Sequence, residues 1–414
     1  MRFWTKTTLF LGCSALAACA HGAAPAPNLG APVLSRIDHQ SASGDPTIFL
    51  FPYDGGSEPD GGNPFDGLVD VGGTMYGNTS SGGANGFGTI FSVTTGGTEH
   101  VIHSFAGNGD CETPDFASLL NVNGTLYGTT FFGGANGDGC VFSFEASNPS
   151  ATYQVVYSFK GSPDGEEPEA NLIDDNGTLY GTTSAGGAYG YGTVFSLPLS
   201  GPSAGQAKVV YSFAGSPDGQ RPISDLVRVG KYFYGTTYSG GRHKLGTVFR
   251  VSASGTEKII HGFGRPKTND GANPAGGLIY YNGTLYGTTD QGGGKSGGGT
   301  VFSITPSGTE NVMVAFAPNG SNETGLNPLA PLTNINGVFY GTTNASSPEG
   351  SGTVFSITPS GTLQYVAVFC NMSSCAGWPA KPVSSVIEVN GMLYGTSAEN
   401  TAEGGAGTVW AVAP

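Results

Sequence analysis

The chain has 414 residues, with 71 Gly, 26 Pro and a formal net charge of −14. Charged residues make up only 11% and aromatic residues another 11%, which excludes a disordered chain, since disorder needs low hydrophobicity and high charge. The glycines keep no Gly-X-Y period and no apolar run is long enough to span a bilayer, so a collagen-like rod and a transmembrane helix are excluded as well.

Arg2 and Lys6 open the chain, and residues 7–18 form a short, mostly apolar stretch of the kind found at the core of a secretory signal. The stretch closes on Leu16-Ala17-Ala18-Cys19, which resembles the lipobox of bacterial lipoproteins, where cleavage precedes the Cys and its thiol is lipidated. Residues 1–18 are therefore expected to be a lipoprotein signal peptide, Cys19 the lipidated residue, and residues 19–46, rich in Ala, Pro and Ser, a tether. Ala20, rather than Asp, resembles the sorting pattern of outer-membrane lipoproteins, facing either the periplasm or the outside. Ordinary cleavage beyond Ala20, giving a freely secreted protein, is the alternative. Loss of Arg2 and Lys6 takes the net charge from −14 to −16, which opposes binding to nucleic-acid phosphates and to anionic lipid. The expected membrane contact is the N-terminal lipid alone.

From residue 47 the chain repeats. Tyr-Gly recurs at Tyr76, Tyr127, Tyr180, Tyr234, Tyr286, Tyr340 and Tyr394, about 53 residues apart. Gly-Thr-Val-Phe or a variant ends at Phe91, Phe142, Phe195, Phe249, Phe302, Phe355 and Trp410. An apolar run closes at Phe51, Phe105, Phe159, Phe213, Phe263, Phe316 and Phe369. Each unit reads as four strands rich in β-branched and aromatic residues, illustrated by residues 68–71, 125–130, 193–197 and 209–213. Asn123-Gly124 and its equivalents supply two-residue hairpin turns between strands one and two. The array opens on a lone fourth strand, residues 47–51, and ends on a third strand near residues 408–412. This phase predicts an all-β, seven-bladed β-propeller over residues 47–414 whose N-terminal strand completes the last blade. An open β-solenoid, or six or eight blades, are the alternatives.

The unit typified by Gly177-Thr178-Leu179-Tyr180-Gly181-Thr182-Thr183, Gly186-Gly187 and Gly192-Thr193-Val194-Phe195 resembles the GloVer-type tandem repeat of bacteria. The resemblance covers nearly all of residues 47–414 and implies an exported repeat array joined to a surface anchor, here the lipobox. It implies no activity and no site residues. Units six and seven depart from it, with Ser346-Ser347 and Asn400-Thr401 where five units carry Gly-Gly.

In such a blade the loop between strands two and three and the crossover to the next blade share one face, the better place for function because the opposite turns are tight. An Asp recurs in the crossovers at Asp60, Asp110, Asp164, Asp218 and Asp270. One Asp per blade cannot converge on a single ion, so a turn-forming role is the better reading. The repeated Tyr and Phe read as core between blades. The crossover acids Glu166, Glu167 and Glu169 read as a solvated face. Segments that break the repeat are better ligand-face candidates: Arg242, His243 and Lys244 in unit four, Arg265 and Lys267 in the crossover to unit five, and Trp378 in unit seven. No His or carboxylate grouping has metal-ligand spacing and no nucleophile motif stands out, so neither metal nor cofactor is expected, and no catalytic residue is assigned.

Export permits disulfides. Cys111 lies in the crossover entering blade two and Cys140 begins strand three of that blade, which predicts Cys111–Cys140; Cys370 and Cys375 share one loop and form the second expected pair. The function expected from all this is an anchored, monomeric, non-catalytic binding or scaffold propeller for a glycan, peptide or envelope protein. The alternative is a carbohydrate-active enzyme, a glycosidase or lyase, with its site on the crossover face.

Overall fold

The structure is a computed structural model that describes residues 46–51, 60–264, 269–294, 297–317, 324–347, 350–369, 378–400 and 405–414. Cys19, Arg265, Lys267, Cys370 and Cys375 lie outside these residues, as does nearly all of the expected signal peptide and tether.

The described chain forms seven four-stranded antiparallel blades, six of them ordered as in the sequence. Blade 2 is typical, with Leu120–Val122, Thr125–Thr130, Cys140–Glu145 and Gln154–Ser158. The expected closure is present: Thr47–Leu50 pairs antiparallel with Thr408–Val412, with Leu50 opposite Thr408, and so becomes the outer strand of blade 7. The hairpin between the first two strands follows from its residues. Asn123 and Gly124 have φ of 52° and 88°, the left-handed pair that a type I′ turn demands. In all seven blades the pairing of the third and outer strands slips by one residue, between Val248 and Phe249 in blade 4 for example. Such a bulge increases local twist.

The core lies between blades. The Phe that ends each outer strand meets the aromatic ring of strand three in the following blade, with ring centroids 5.0 Å apart for Phe213 and Phe249 and 5.2 Å for Phe51 and Phe91. Phe369 and Trp410 repeat the contact at 5.4 Å. The repeated rings are packing, as the sequence suggests. Gly of the Tyr-Gly pair is needed beneath them: a Cβ on Gly235 would lie 2.8 Å from the Phe249 ring and 3.0 Å from Leu226.

The two threonines after Tyr-Gly have separate duties. The second pairs with the Thr that opens strand three, as in Thr183 with Thr193 at 2.8 Å. The first reaches the next blade. Thr182 donates to the Ser224 carbonyl at 3.3 Å, Thr288 to Ala330 at 3.0 Å and Thr342 to Ser384 at 2.9 Å.

One layer is absent from the sequence reading. Each crossover into blades 2 to 6 pairs with the strand two to three loop of the blade it enters, as Gly165–Glu166 does with Ala185–Gly186. Gly186 and Gly187, both left-handed, turn the chain out of that ribbon. Units six and seven lack the Gly pair, and the strand runs on: Thr324–Leu326 pairs with Ala345–Ser347 over three residues, and strand two of blade 7 extends over nine, Met392–Asn400. These ribbons cover the crossover face and leave its centre to the residues that enter the inner strands.

Candidate functional site

Each crossover ends on Pro and then on a buried apolar residue that starts the inner strand, such as Pro64 and Leu68 or Pro222 and Leu226. The residue just before that apolar one sits beside its counterparts in neighbouring blades. Gly67 donates its amide to Ser118 Oγ at 2.8 Å, Ser118 donates to Asn171 Oδ1, and Asn171 donates its amide and side chain to the two oxygens of Asp225, each at 2.9 Å. A Cβ on Gly67 would lie 2.6 Å from both Ser118 Oγ and Ser385 Oγ. These positions therefore form a ring at the mouth of the central channel. Gly277 follows Asp225 and has no side chain to continue the relay. Packing positions such as the Gly after each repeated Tyr and the Phe that closes each outer strand keep one residue type in all seven blades. At the mouth the seven blades carry five residue types: Gly67, Ser118, Asn171, Asp225, Gly277, Pro331 and Ser385.

Carboxyl groups gather in and behind this ring on one side. Asp66, Asp115, Glu169 and Asp225 come from the entries of four consecutive blades, while the matching stretch of blade 5 is Ala275-Gly276-Gly277. Asp66 is 2% exposed, and burial pushes its carboxyl up to about 8 despite a hydrogen bond from Asn78. Burial also raises Asp225 to about 6. Asp115 is pushed well above the usual carboxylate range by burial, then by the charges of Asp66 and Glu169. Glu169 is raised by burial, against the opposing hydrogen bond of Ser184 and the charge of Arg221. One oxygen each of Asp66, Asn78 and Asp115 is buried with no hydrogen-bond partner among the described residues. These oxygens are acceptors in want of a donor, and the two carboxyls among them would ionise if a cation arrived.

Beside them stands Phe116. Blade 2 has six residues from Pro114 to Leu119 where the other blades have one fewer, and the extra residue puts Phe116 in the left-handed region at φ 59°. A bulky residue there is strained. Phe116 is nonetheless 36% exposed, with its ring 5.2 Å from that of Phe65.

The model of the Gloeobacter/Verrucomicrobia repeat matches residues 36–230 and 116–324, which together make up well over half of the chain. The chain belongs to the Gloeobacter/Verrucomicrobia repeat family. No curated protein matches it. Among solved structures it is similar to PorZ, a surface component of the type-IX secretion system of Porphyromonas gingivalis, with TM-score 0.51 and 13% identity over 86% of this chain and 47% of that one. This family member thus spans about half the length of PorZ. A Bacteroides fragilis protein provisionally assigned as a 6-phosphogluconolactonase aligns with TM-score 0.48 and 17% identity, over 80% of this chain and 87% of that one. A puromycin-hydrolyzing peptidase of Mycobacterium tuberculosis aligns with TM-score 0.48 and 9% identity, over 86% and 55%. At such identities the likeness to PorZ is one of fold alone.

Within this family member the described sequence candidates lie on different blades. Arg242, His243 and Lys244 are exposed in the strand two to three loop of blade 4, and Trp378 directly precedes Pro379–Pro382 at the entry to blade 7. They do not assemble with one another. Asp110, Asp218 and Asp270 accept backbone amides as turn-forming residues do, with an added role: Asp218 accepts from the amides of Ala214 and Gly219 at 2.8 and 2.7 Å and from the Tyr211 hydroxyl at 2.9 Å. At Asp110, burial favours the neutral acid, but His103, Tyr153 and two backbone amides outweigh it and hold the carboxyl below its usual value. The disulfide Cys111–Cys140 is present, with Cα atoms 5.8 Å apart, and links the crossover ribbon to strand three of blade 2. The solvated-face reading of Glu169 is wrong: it is 6% exposed, because the crossover dives from the ribbon into the inner strand immediately beyond Pro168. Sequence reasoning passed over Asp66, Asp115, Phe116 and Asp225. The signal that finds them is misalignment of the repeats, at the one inserted residue and at the variable place before the inner strand.

Proposed function

We propose that this chain is an exported binding propeller without catalytic activity, lipidated at Cys19, carried on the tether of residues 19–46 and held at the outer membrane as a monomer. Its ligand presents an ammonium group to the acidic half of the mouth, in the manner of a basic peptide segment. The observation that carries this reading is the insertion in blade 2. It holds an exposed aromatic ring, Phe116, next in sequence to Asp115 and close to Ser118 of the mouth ring. Strain kept at one blade out of seven calls for a local reason, and an aromatic face beside carboxylates suits a cation. The lipobox supports the anchor, and the acidic charge of the chain supports a cationic partner.

Calorimetric titration with a short lysine peptide and with its ε-acetylated form tests the ligand class. Tighter binding of the charged form is expected. Phe116→Ala should weaken it by about 5-fold, for roughly 1 kcal/mol of cation–π attraction. Equal affinity for both forms would sink the proposal. A second reading, a glycosidase or lyase, draws on the coupled carboxyls Asp66, Asp115 and Glu169, since a general acid needs a raised pKa. Release of reducing ends from envelope glycans, lost in Asp115→Asn, would favour that reading.

A further inference from the structure

The crossover aspartates sit between two blades, and the residues on either side of them differ from junction to junction. At the junction of blades 1 and 2, His103 donates to Asp110 at 2.9 Å, and Tyr153 closes the group with a 2.5 Å hydrogen bond to Asp110 and a ring stacked 3.6 Å from His103. At the next two junctions a tyrosine takes the place of the histidine: Tyr157 on Asp164 and Tyr211 on Asp218.

The junction of blades 4 and 5 departs from this. His261 lies in the outer strand Glu257–Gly262 of blade 4, Asp270 in the crossover, and Glu310 opens the outer strand Glu310–Ala315 of blade 5. One ligand atom from each lies within 4.8 Å of the other two. The side chains of His261 and Asp270 are both 5% exposed. Their closest approach, Nε2 to Oδ1, is 3.4 Å, against 2.9 Å in the His103–Asp110 pair. The longer value is poor for a hydrogen bond. It is, however, the edge of a tetrahedron whose corners lie ~2.0–2.1 Å from a zinc ion, which comes to ~3.4 Å. The second oxygen of Asp270 accepts the Gly264 amide at 3.1 Å, an outer contact that orients a ligating carboxylate.

We propose that His261, Asp270 and Glu310 bind a divalent transition-metal ion of the zinc class and thereby tie the outer edges of blades 4 and 5. A neutral imidazole with two carboxylates balances the two positive charges of the ion, and the imidazole disfavours calcium and magnesium, which take oxygen. Three protein ligands leave a fourth position for water or an incoming donor. This site is independent of the ligand proposed for the mouth. Spacing along the chain does not reveal this grouping, because its ligands come from three separate segments.

The test uses the purified chain, stripped with EDTA and titrated with ZnCl2 by calorimetry and thermal unfolding. About one high-affinity ion per chain is expected, with an unfolding midpoint that rises on addition and falls back with EDTA. His261→Ala and Glu310→Gln should each lower that affinity by at least ~10-fold, whereas His103→Ala should leave it unchanged. Undiminished binding in both variants would show that exposed histidines such as His100 or His243 hold the ion, and would overturn the proposal. So would the absence of stoichiometric binding, or calcium binding in preference to zinc. Anomalous diffraction from zinc-soaked crystals of the unmutated chain decides the matter even where a variant fails to fold: a peak bridging the three residues supports the site, and peaks only elsewhere refute it.

Discussion

Thr396 of blade 7 donates its hydroxyl to the backbone carbonyl of Asp66, at the entry to blade 1, across 2.6 Å and 330 residues of sequence. It is the same latch that joins Thr182 to Ser224 and Thr342 to Ser384, used here to shut the ring. The closing strand and this hydroxyl act on opposite sides of one junction, the strand completing blade 7 and the hydroxyl fastening blade 7 to blade 1.

The latch gives a paired prediction. Thr396→Val removes a donor from a buried carbonyl and should destabilise the chain by about 1–2 kcal/mol. Thr236 occupies the equivalent place in blade 4, but its buried hydroxyl has no hydrogen-bond partner among the described residues. Thr236→Val should be neutral or stabilising. Denaturant unfolding of the two variants side by side checks this; equal losses would mean that the hydroxyl does not act as a latch.

The disulfide gives a second. Blade 2 carries Cys111 and Cys140 where blade 3 has Gly165 and Thr193. The double variant Cys111→Gly, Cys140→Thr restores the repeat residues and lets Thr130 pair with a hydroxyl. Loss of the cross-link, which closes a 29-residue separation, should cost ~2–4 kcal/mol, less what the restored pair returns. Reductant should also shift the unfolding of the variant less than that of the parent chain, because the Cys111–Cys140 link is no longer there to be reduced.

The third concerns pH. Asp66 titrates from 3.8 unfolded to about 8 folded, and Asp225 from 3.8 to about 6. A carboxyl that keeps its proton in the fold favours folding in acid. Its contribution is complete below the unfolded value and drains away as pH rises, by at most about 1.4 kcal/mol per pH unit for each group, until the folded value is reached. Stability should therefore fall between pH 4 and pH 8, and Asp66→Asn should flatten that slope throughout the range, including pH 6 to 8, where Asp66 alone of the two still titrates. Chemical unfolding across that range measures it; a slope unchanged in the variant would show that Asp66 is ionised in the fold.

The propeller was legible in the chain because packing repeats. Every blade must offer a Phe to its neighbour, a glycine beneath it and a tight turn, so Phe213, Gly235 and Asn123-Gly124 recur at fixed intervals and announce themselves. The candidate sites were not legible for the converse reason. Asp66, Asp115 and Asp225 each look like an ordinary loop acid, and Glu169 like one of three solvated charges. Their chemistry comes from burial and from one another, and neither is a property of a single segment.

What the sequence determined by itself was the architecture: seven units, the phase that leaves one strand to close the ring, and the pairing of Cys111 with Cys140. Those follow from local rules of turn, strand and core applied again and again. What the tertiary structure alone decided was the meeting of unlike residues. Closure places the entries of blades 1 to 4 side by side, so that four carboxyls share one low-dielectric wall, and it lays blade 5 against blade 4, so that Glu310 reaches the pair His261 and Asp270. Charge interactions depend on distance and on exclusion of water, and both are fixed only when the ring is shut.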